Sequence, residues 1–177
     1  MLSHFPTFVQ LMKKHYIIAV LVTLSLSLTS CFKEIDITFD EQRQVELEDA
    51  VRRTPVSGQI YPVIDVTRTA NVQSYQVNLV GVQLSTPTEL VYSVDTAVAP
   101  LLNATTIRAV EGVHYRLTDA GKITLKPDTS FAAMRLTVLN PGAVPNRRAV
   151  LMLRLDGNEQ IRPAENYRRL AIRINLN

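Results

Sequence analysis

The stretch LAIRINL, residues 170–176, alternates apolar and polar side chains and is typical of a half-buried β-strand. Successive side chains of a strand point to opposite faces, so every second residue of this stretch shares a face. The apolar face consists of Leu170, Ile172, Ile174 and Leu176. The opposite face carries Arg169, Arg173 and Asn175. We therefore expect one face to join a hydrophobic core while the other meets solvent.

The same two-residue period recurs upstream in five further runs. These are YQVNL at 75–79, LVYSV at 90–94, ITL at 123–125, MRLTV at 134–138 and AVLMLRL at 149–155. Turn-forming residues separate the runs, at 119–121, 126–128, 140–142, 156–158 and 162–163. This spacing predicts one all-β domain over residues 45–177, an antiparallel immunoglobulin-like sandwich with one solvated face per sheet. Most tyrosines also fall on apolar-phase positions, which favours core packing for Tyr61, Tyr75, Tyr92, Tyr115 and Tyr167.

Residues 44–53 fit two structures. Val45 to Glu48 alternate as an edge strand would, whereas the helix-forming residues and the acidic-to-basic gradient suit a helix. A strand is favoured because a lone short helix gains little without a packing partner. Thr54 and Pro55 end either element.

Residues 96–108 form the longest stretch without a period, and long loops on a sandwich are common places for binding as well as for tolerated insertions. The loop begins within Asp95-Thr96-Ala97, which resembles the O-glycosylation sequon of Bacteroidota. That resemblance makes Thr96 a candidate glycosylation site.

The first 31 residues indicate a bacterial lipoprotein signal. Lys13 and Lys14 precede an apolar run at 16–28 that is too short to span a bilayer as a helix. The tetrapeptide LTSC at 28–31 resembles the lipobox, which implies cleavage before Cys31 and lipid attachment to its thiol. Residues 1–30 are then a signal peptide and residues 31–44 a lipidated tether, with Met1 or Met12 as the start. The alternative is an uncleaved anchor helix.

The residues after Cys31 bear on the membrane that holds the chain. Phe32 follows the cysteine, so the aspartate that usually retains lipoproteins at the inner membrane is absent. Lys33 and Glu34 resemble the surface-export signals of Bacteroidota, although Ile35 interrupts the acidic pair. We therefore expect anchoring to the outer membrane through the lipid. The sequence is compatible with either the periplasmic or the surface-exposed face of that membrane. An ordinary solvated tether is the alternative to the export signal.

Charge and cysteine content argue against a nucleic-acid-binding protein and against a disulfide-stabilised one. Losing Lys13 and Lys14 from the 19 basic residues leaves 17 against 16 acidic residues, a formal charge of +1. A nearly neutral domain gives no electrostatic reason to expect a nucleic-acid partner. The single cysteine is assigned to lipid attachment, so stability must come from packing rather than disulfides.

Several phrases of the chain resemble a known family. They are YSVD at 92–95, AVEGVHY at 109–115, the strand at 134–139, LRLDGN at 153–158 and ENY at 165–167. These phrases resemble Bacteroidota outer-membrane lipoproteins of unknown function that are built on a Calx-beta-like domain. The resemblance implies a sandwich on the cell envelope and brings no catalytic residues with it.

Sites for metals, cofactors and catalysis are not expected. Calx-beta domains elsewhere bind calcium through clustered acidic residues, whereas Asp95, Asp119, Asp128 and Asp156 are dispersed here. His114, the single histidine after residue 30, gives too few ligands for zinc. A Ser-His-Asp hydrolase would have to be built around it, and its place in a strand favours a structural role. No signal pairs Glu111, Asp119 or Asp156 as glycosidase carboxylates. We expect no cofactor and no enzymatic activity.

The arginines give the sequence its one candidate ligand-binding surface. Seven of the fourteen arginines follow Asn146, and the strand alternation turns Arg154, Arg169 and Arg173 outward. Their guanidinium groups would suit anionic glycans or lipid phosphates, although a solvated sheet face is the simpler interpretation. The leading hypothesis is a non-enzymatic, lipid-anchored envelope module that binds a glycan or a protein, as an accessory to polysaccharide uptake or adhesion. A structural subunit of a surface assembly is the alternative, followed by a small hydrolase.

Overall fold

The alternating runs form the strands of two packed β-sheets in the computed structural model, which describes residues 42–177. The strands are β1 Gln44–Leu47, β2 Val63–Thr67, β3 Asn71–Val80, β4 Thr88–Asp95, β5 Thr106–Arg108, β6 Tyr115–Leu117, β7 Lys122–Leu125, β8 Phe131–Val138, β9 Arg148–Gly157, β10 Arg162–Pro163 and β11 Arg169–Asn175. One helix, α1 at Glu48–Arg52, and three short 3-10 turns at Ala99–Leu101, Thr118–Gly121 and Glu165–Tyr167 complete the described elements. This architecture confirms the prediction of an all-β sandwich.

The first sheet has the strand order β10-β1-β3-β8-β6, and the second has the order β2-β11-β9-β4-β7. β5 extends the second sheet by pairing with the beginning of β9. Most neighbours are antiparallel, as predicted, but β1 with β10, β2 with β11 and β5 with β9 are parallel pairs. The turn-forming pair Arg162-Pro163 is itself the two-residue strand β10, which corrects its prediction as a separator.

Apolar side chains from both sheets meet in one core. The first sheet contributes Val45, Tyr75, Val77, Met134 and Leu136, and the second contributes Leu90, Leu125, Leu151, Leu153 and Ile172, among others. The apolar-phase residues of β11 are buried, as the alternation predicted. Four of the five tyrosines expected in the core are buried, whereas Tyr167 is 40% exposed. Burial of this apolar surface is the main source of stability for a domain without a disulfide.

The outer face of the second sheet differs from the prediction, because part of it is covered. Val150, Met152 and Ala171 have the outward phase but are buried beneath Tyr61 and Val98. Val98 belongs to the predicted loop at 96–108, which in the structure contains a 3-10 turn and β5. A short alternating strand pattern reports the phase of a side chain but not whether a loop folds over it.

Both structures considered for residues 44–53 are present in succession. Val45 and Leu47 point into the core from β1, and α1 follows directly with Ala50 buried. The helix does have packing partners, since it contacts β1, β3, β11 and the turn at Glu165–Tyr167. The prediction of a strand is therefore correct for the first half of this segment and wrong for the second.

No helix within residues 42–177 is long and apolar enough to cross a membrane. The predicted signal peptide at 1–30, the lipid site at Cys31 and most of the predicted tether at 31–44 lie outside the described residues. Those assignments stay predictions. Of the tether, Gln44 already belongs to β1.

Candidate functional site

The predicted arginine surface lies on the outer face of β9 and β11. Arg154 and Arg169 are directly opposite each other in the antiparallel pairing of these strands, and Arg173 lies four residues further along β11, opposite Val150. The three side chains are 35%, 21% and 35% exposed, so none of them extends freely into solvent. The structure thus brings Arg154 and Arg169 together and separates Arg173 from them.

Asp95 at the end of β4 joins Arg154 and Arg169. Its Oδ2 accepts a hydrogen bond from Arg169 Nε at 3.0 Å and lies 3.7 Å from Arg154 Nη1. Its Oδ1 accepts from the backbone N–H of Ala97 at 2.9 Å. These contacts hold the pKa of Asp95 below its usual value, through the Ala97 hydrogen bond first and then Arg169, against the opposing effect of burial. Asp95 is therefore an ionised anchor between two arginines.

A second carboxylate neutralises the remaining charge of this cluster. Arg154 Nε donates to Asp156 Oδ1 at 2.6 Å, and the hydroxyl of Ser93 donates to the other oxygen of Asp156. The hydrogen bond and charge of Asp156 raise the pKa of Arg154. Arg154, Arg169, Asp95 and Asp156 together carry no net charge. The Nε donor of each arginine is directed at one of these carboxylates, so the cluster is balanced in charge without an external anion.

Arg173 is paired as well. Its Nε and Nη2 contact the two oxygens of Asp65 on β2 at 2.6 and 2.7 Å, a bidentate arrangement. This hydrogen bonding lowers the pKa of Asp65 and raises that of Arg173. The three predicted arginines are therefore on the outward face, and each one holds a carboxylate of the same domain. Their role as ligand-binding residues stays a prediction.

A groove lies on the first sheet, where the outer face of β3 and β8 curves toward β7. This groove has a volume of about 970 Å³. Its lining comprises Ser74, Gln76, Glu89, Asp119, Lys122, Ile123, Thr124, Lys126, Thr129, Phe131, Ala132, Ala133 and Arg135. The register between β3 and β8 sets Ser74 opposite Arg135 and Gln76 opposite Ala133. The outward phase of two neighbouring strands thus forms one wall of the groove, and β7 forms the other.

Phe131 is the aromatic residue of this groove, and it is 63% exposed at the start of β8. Met134, Leu136 and Val138 of the same strand are fully buried because they have the opposite phase. Small side chains follow Phe131 at positions 132 and 133, so its ring stands beside open space. The sequence did contain the signal, since Phe131 shares its phase with Arg135. An aromatic ring on the wet face of a strand is a feature that the alternation alone could have revealed.

Polar groups line both walls of the groove. Lys122 on β7 pairs with Glu89 on β4, with 2.9 Å between Nζ and Oε1. Gln76, Ser74 and Thr124 present amide and hydroxyl groups that both donate and accept hydrogen bonds. The groove therefore combines one apolar ring with polar side chains, a composition that suits a ligand with an apolar face and many hydroxyls.

His114 is buried next to β6 and is held by backbone groups. Its Nδ1 accepts a hydrogen bond from the N–H of Val110 at 3.0 Å, and its own backbone bonds both Val110 and Leu139. Burial lowers the pKa of His114. His114 lies in the turn before β6, not in the strand that the sequence predicted, and its Nδ1 is occupied by the Val110 N–H.

The acidic residues considered for metals and catalysis do not gather at one site. Asp95 and Asp156 come together around Arg154, whose guanidinium lies between them. Asp119 lines the groove, whereas Glu111 lines a smaller cavity of about 500 Å³ beside Asp95 and Thr96. Among residues 42–177, no three histidine, cysteine or acidic side chains cluster as metal ligands would.

Thr96 lies directly after β4 and is exposed, so a modifying enzyme could reach its hydroxyl. The preceding Asp95 has both carboxylate oxygens engaged within the domain. Glycosylation of Thr96 stays a prediction.

Comparison with known proteins bears on the fold. No protein-family model matches the chain, and no curated protein matches it either. Among solved structures, the apo form of the Calx CBD1 domain matches with a TM-score of 0.52 and 15% identity over 76% of this chain and 97% of that domain. A proposed carbohydrate-binding protein from Bacteroides ovatus ATCC 8483 matches with a TM-score of 0.50 and 9% identity over 75% of this chain. This chain spans 37% of that protein's length. The likeness shows that the domain is a sandwich of the Calx-beta type.

Proposed function

We propose that the chain is a non-enzymatic binding module, lipid-anchored to the cell envelope through Cys31, that binds a glycan in the groove between β3, β8 and β7. The observation that carries this proposal is Phe131, an exposed ring in a groove lined by amides, hydroxyls and charges. A bacterial outer-membrane location and a role beside polysaccharide uptake or adhesion belong to the same proposal. The proposed carbohydrate binding of a protein with the same fold is consistent with it.

Sugar chemistry explains the choice of ligand. A sugar ring has a face of C–H groups that packs on an aromatic side chain and a rim of hydroxyls that needs hydrogen-bond partners. Phe131 offers the apolar surface, while Gln76, Ser74 and the Lys122–Glu89 pair offer donors and acceptors. The arginine surface offers no comparable apolar contact and has its charges satisfied internally.

The non-enzymatic part of the proposal is supported by His114. A general base needs an accessible ring nitrogen within reach of its substrate, whereas this imidazole is buried and bonded to Val110. A turnover assay on chromogenic glycosides and esters, lost on changing His114, would overturn this part.

The test is a glycan-array screen of the full chain together with three variants. Phe131→Ala should lose specific binding, since it removes the stacking surface. Val82→Ala serves as the matched control because it also shortens an exposed apolar residue, one that is 59% exposed and outside the groove. Binding lost in Arg173→Ala but kept in Phe131→Ala would relocate the site to the arginine surface. Absence of binding to every glycan would refute the proposal.

A structural subunit of a surface assembly is the second candidate function. β2 is an edge strand of the second sheet, and within the described residues it pairs with β11 alone. Its other edge is therefore open to a further strand. Sedimentation of the full chain at rising concentrations without glycan distinguishes this candidate. Concentration-dependent polymers would favour it, and a constant monomer would exclude it.

A further inference from the structure

We infer that the groove prefers sugars carrying a negatively charged group and that Lys126, beside Phe131, binds this group. The inference rests on the proposed glycan binding and specifies its ligand. Uronates, which carry a carboxylate, and sulfated sugars both have the required charge.

The charges of the groove favour an anion. Three cations and two carboxylates line it, namely Lys122, Lys126, Arg135, Glu89 and Asp119. Lys122 and Glu89 neutralise each other at 2.9 Å. Lys126 and Arg135 form no ion pair with any residue in the range 42–177. Two cations and one carboxylate therefore remain for a ligand.

The positions of these residues single out one end of the groove. Lys126 directly follows β7, and Phe131 begins β8 after a short turn. The hydroxyl of Thr129 donates to the carbonyl of Lys126 at 2.8 Å and closes that turn, which holds the backbone of Lys126 close to the start of β8. Both Lys126 and Phe131 line the groove. Asp128 belongs to the same turn but does not line the groove. An anionic sugar stacked on Phe131 would thus have Lys126 within reach.

Arg135 marks the opposite end. It lies four residues along β8 from Phe131, about 13 Å at the usual rise of a strand. The turn at Thr118–Gly121, which bears Asp119, packs against β8, and the hydroxyl of Tyr92 lies 2.7 Å from the carbonyls of both Thr118 and Arg135. The carboxylate of Asp119 therefore offsets Arg135 at this end. Glu89 lies opposite Thr124, two residues from Lys126, but its carboxylate is paired with Lys122. The end at Lys126 therefore has no unpaired lining carboxylate and is the better anion subsite.

Titration calorimetry of the full chain tests the inference with matched oligosaccharides. Galacturonate and alginate oligomers supply carboxylates, and their methyl esters keep the rings but mask the charge. Carrageenan oligomers supply sulfates, and their desulfated forms are the corresponding control. We expect at least one acidic series to bind about tenfold more tightly than its masked form, because a charge-assisted hydrogen bond contributes this much. Raised salt should reduce the difference.

Variants separate a specific subsite from general attraction. Lys126→Gln should weaken acidic ligands about tenfold and leave the masked forms unchanged. Arg162→Gln removes the same charge from exposed β10 at the far edge of the sheet and should change neither. Equal losses in the two variants, or equal affinity for acidic and masked sugars, would overturn the inference while glycan binding stands. Failure of all acidic and neutral sugars to bind would instead remove the proposed function itself.

Discussion

Gly121 ends a turn in which three successive residues, Asp119 to Gly121, have left-handed backbone angles. Its φ is +79°, and a Cβ on it would lie 2.5 Å from the carbonyl oxygen of Tyr92. Asp119 and Ala120 accept this conformation with φ near +55° and +51°, which costs about 1–2 kcal/mol for an ordinary residue. The turn positions Asp119 at the groove, so its geometry belongs to the candidate site as well as to the fold.

Gly121→Ala is expected to lower the free energy of unfolding by about 3 kcal/mol, because it adds a backbone clash to the conformational cost. Gly112→Ala is the matched control, since Gly112 has the same φ of +79° but no described atom within 4 Å of its added Cβ. We expect about 1 kcal/mol there. Urea denaturation measures both, and equal losses would show that the contact with Tyr92 does not matter.

His114 should make the domain less stable below about pH 6.5. Its pKa is lowered in the fold, so the unfolded chain binds the proton more readily. The stability contributed by the neutral imidazole is complete above the unfolded pKa of about 6.5 and is lost as pH falls toward the folded value. His114→Asn keeps an acceptor near Val110 without titrating, and it should flatten the dependence. Urea midpoints at pH 7.5 and 5.5 measure this. A difference between the two midpoints that is as large in the variant as in the unchanged chain would contradict the prediction.

At the scale of elements, the end of β4 is tied to β9 and β11 through Asp95. Asp95→Asn keeps an acceptor for Ala97 but removes the charge that faces Arg169 and Arg154. Because the Asp95 side chain is only 10% exposed, we expect a loss of about 2 kcal/mol in the free energy of unfolding. Asp65→Asn breaks the pair with Arg173. Because the Asp65 side chain is 61% exposed, this substitution should lower the free energy of unfolding by less than about 1 kcal/mol. Guanidinium titrations of both variants would contradict this account if the two losses were equal.

Most strands that sequence reasoning found have a long two-residue period, and ITL at 123–125 in β7 is the short exception. β9 and β11 carry enough alternating residues to define a phase, and that phase correctly buried Leu153 and Ile172. β5, β6 and β10 have only two or three residues each, too few for any period to register. Their positions are set by tertiary pairing with β9, β8 and β1, which local sequence does not encode.

The site was less accessible to sequence reasoning for the same reason. Alternation placed Arg154, Arg169 and Arg173 outward, but their acidic partners come from β2, β4 and the end of β9. Those pairings depend on strand order and register, which spacing along the chain does not reveal. The groove likewise needs β7 of one sheet beside β8 of the other, although the phase of Phe131 was visible in the sequence.

At the scale of the whole molecule, the anchor is the property to test. Cys31→Ser should shift the chain from the membrane fraction to the soluble fraction, since the proposed acyl chains contribute about 0.8 kcal/mol per buried methylene. Fractionation followed by immunoblotting measures this, with mass spectrometry to detect the lipid. Arg43→Ser, a substitution shortly before β1, is the control and shows whether a substitution in this part of the chain changes fractionation without affecting Cys31. A Cys31→Ser chain that stays on the membrane would refute lipid attachment at this residue.

The strand order has a consequence for how the chain reaches its native state. β9 and β11 lie in the middle of the second sheet, and β10 pairs with β1. The first strands to be synthesised, β1 and β2, therefore lack their partners β10 and β11 until those strands have been made. Non-local pairing of this kind folds slowly, and unpaired strand edges promote aggregation meanwhile. A growing chain that lacks residues 148–175 cannot form the centre of the second sheet, since β9 and β11 are missing. We therefore expect the domain to fold, and its tendency to aggregate to fall, only once these residues have been synthesised.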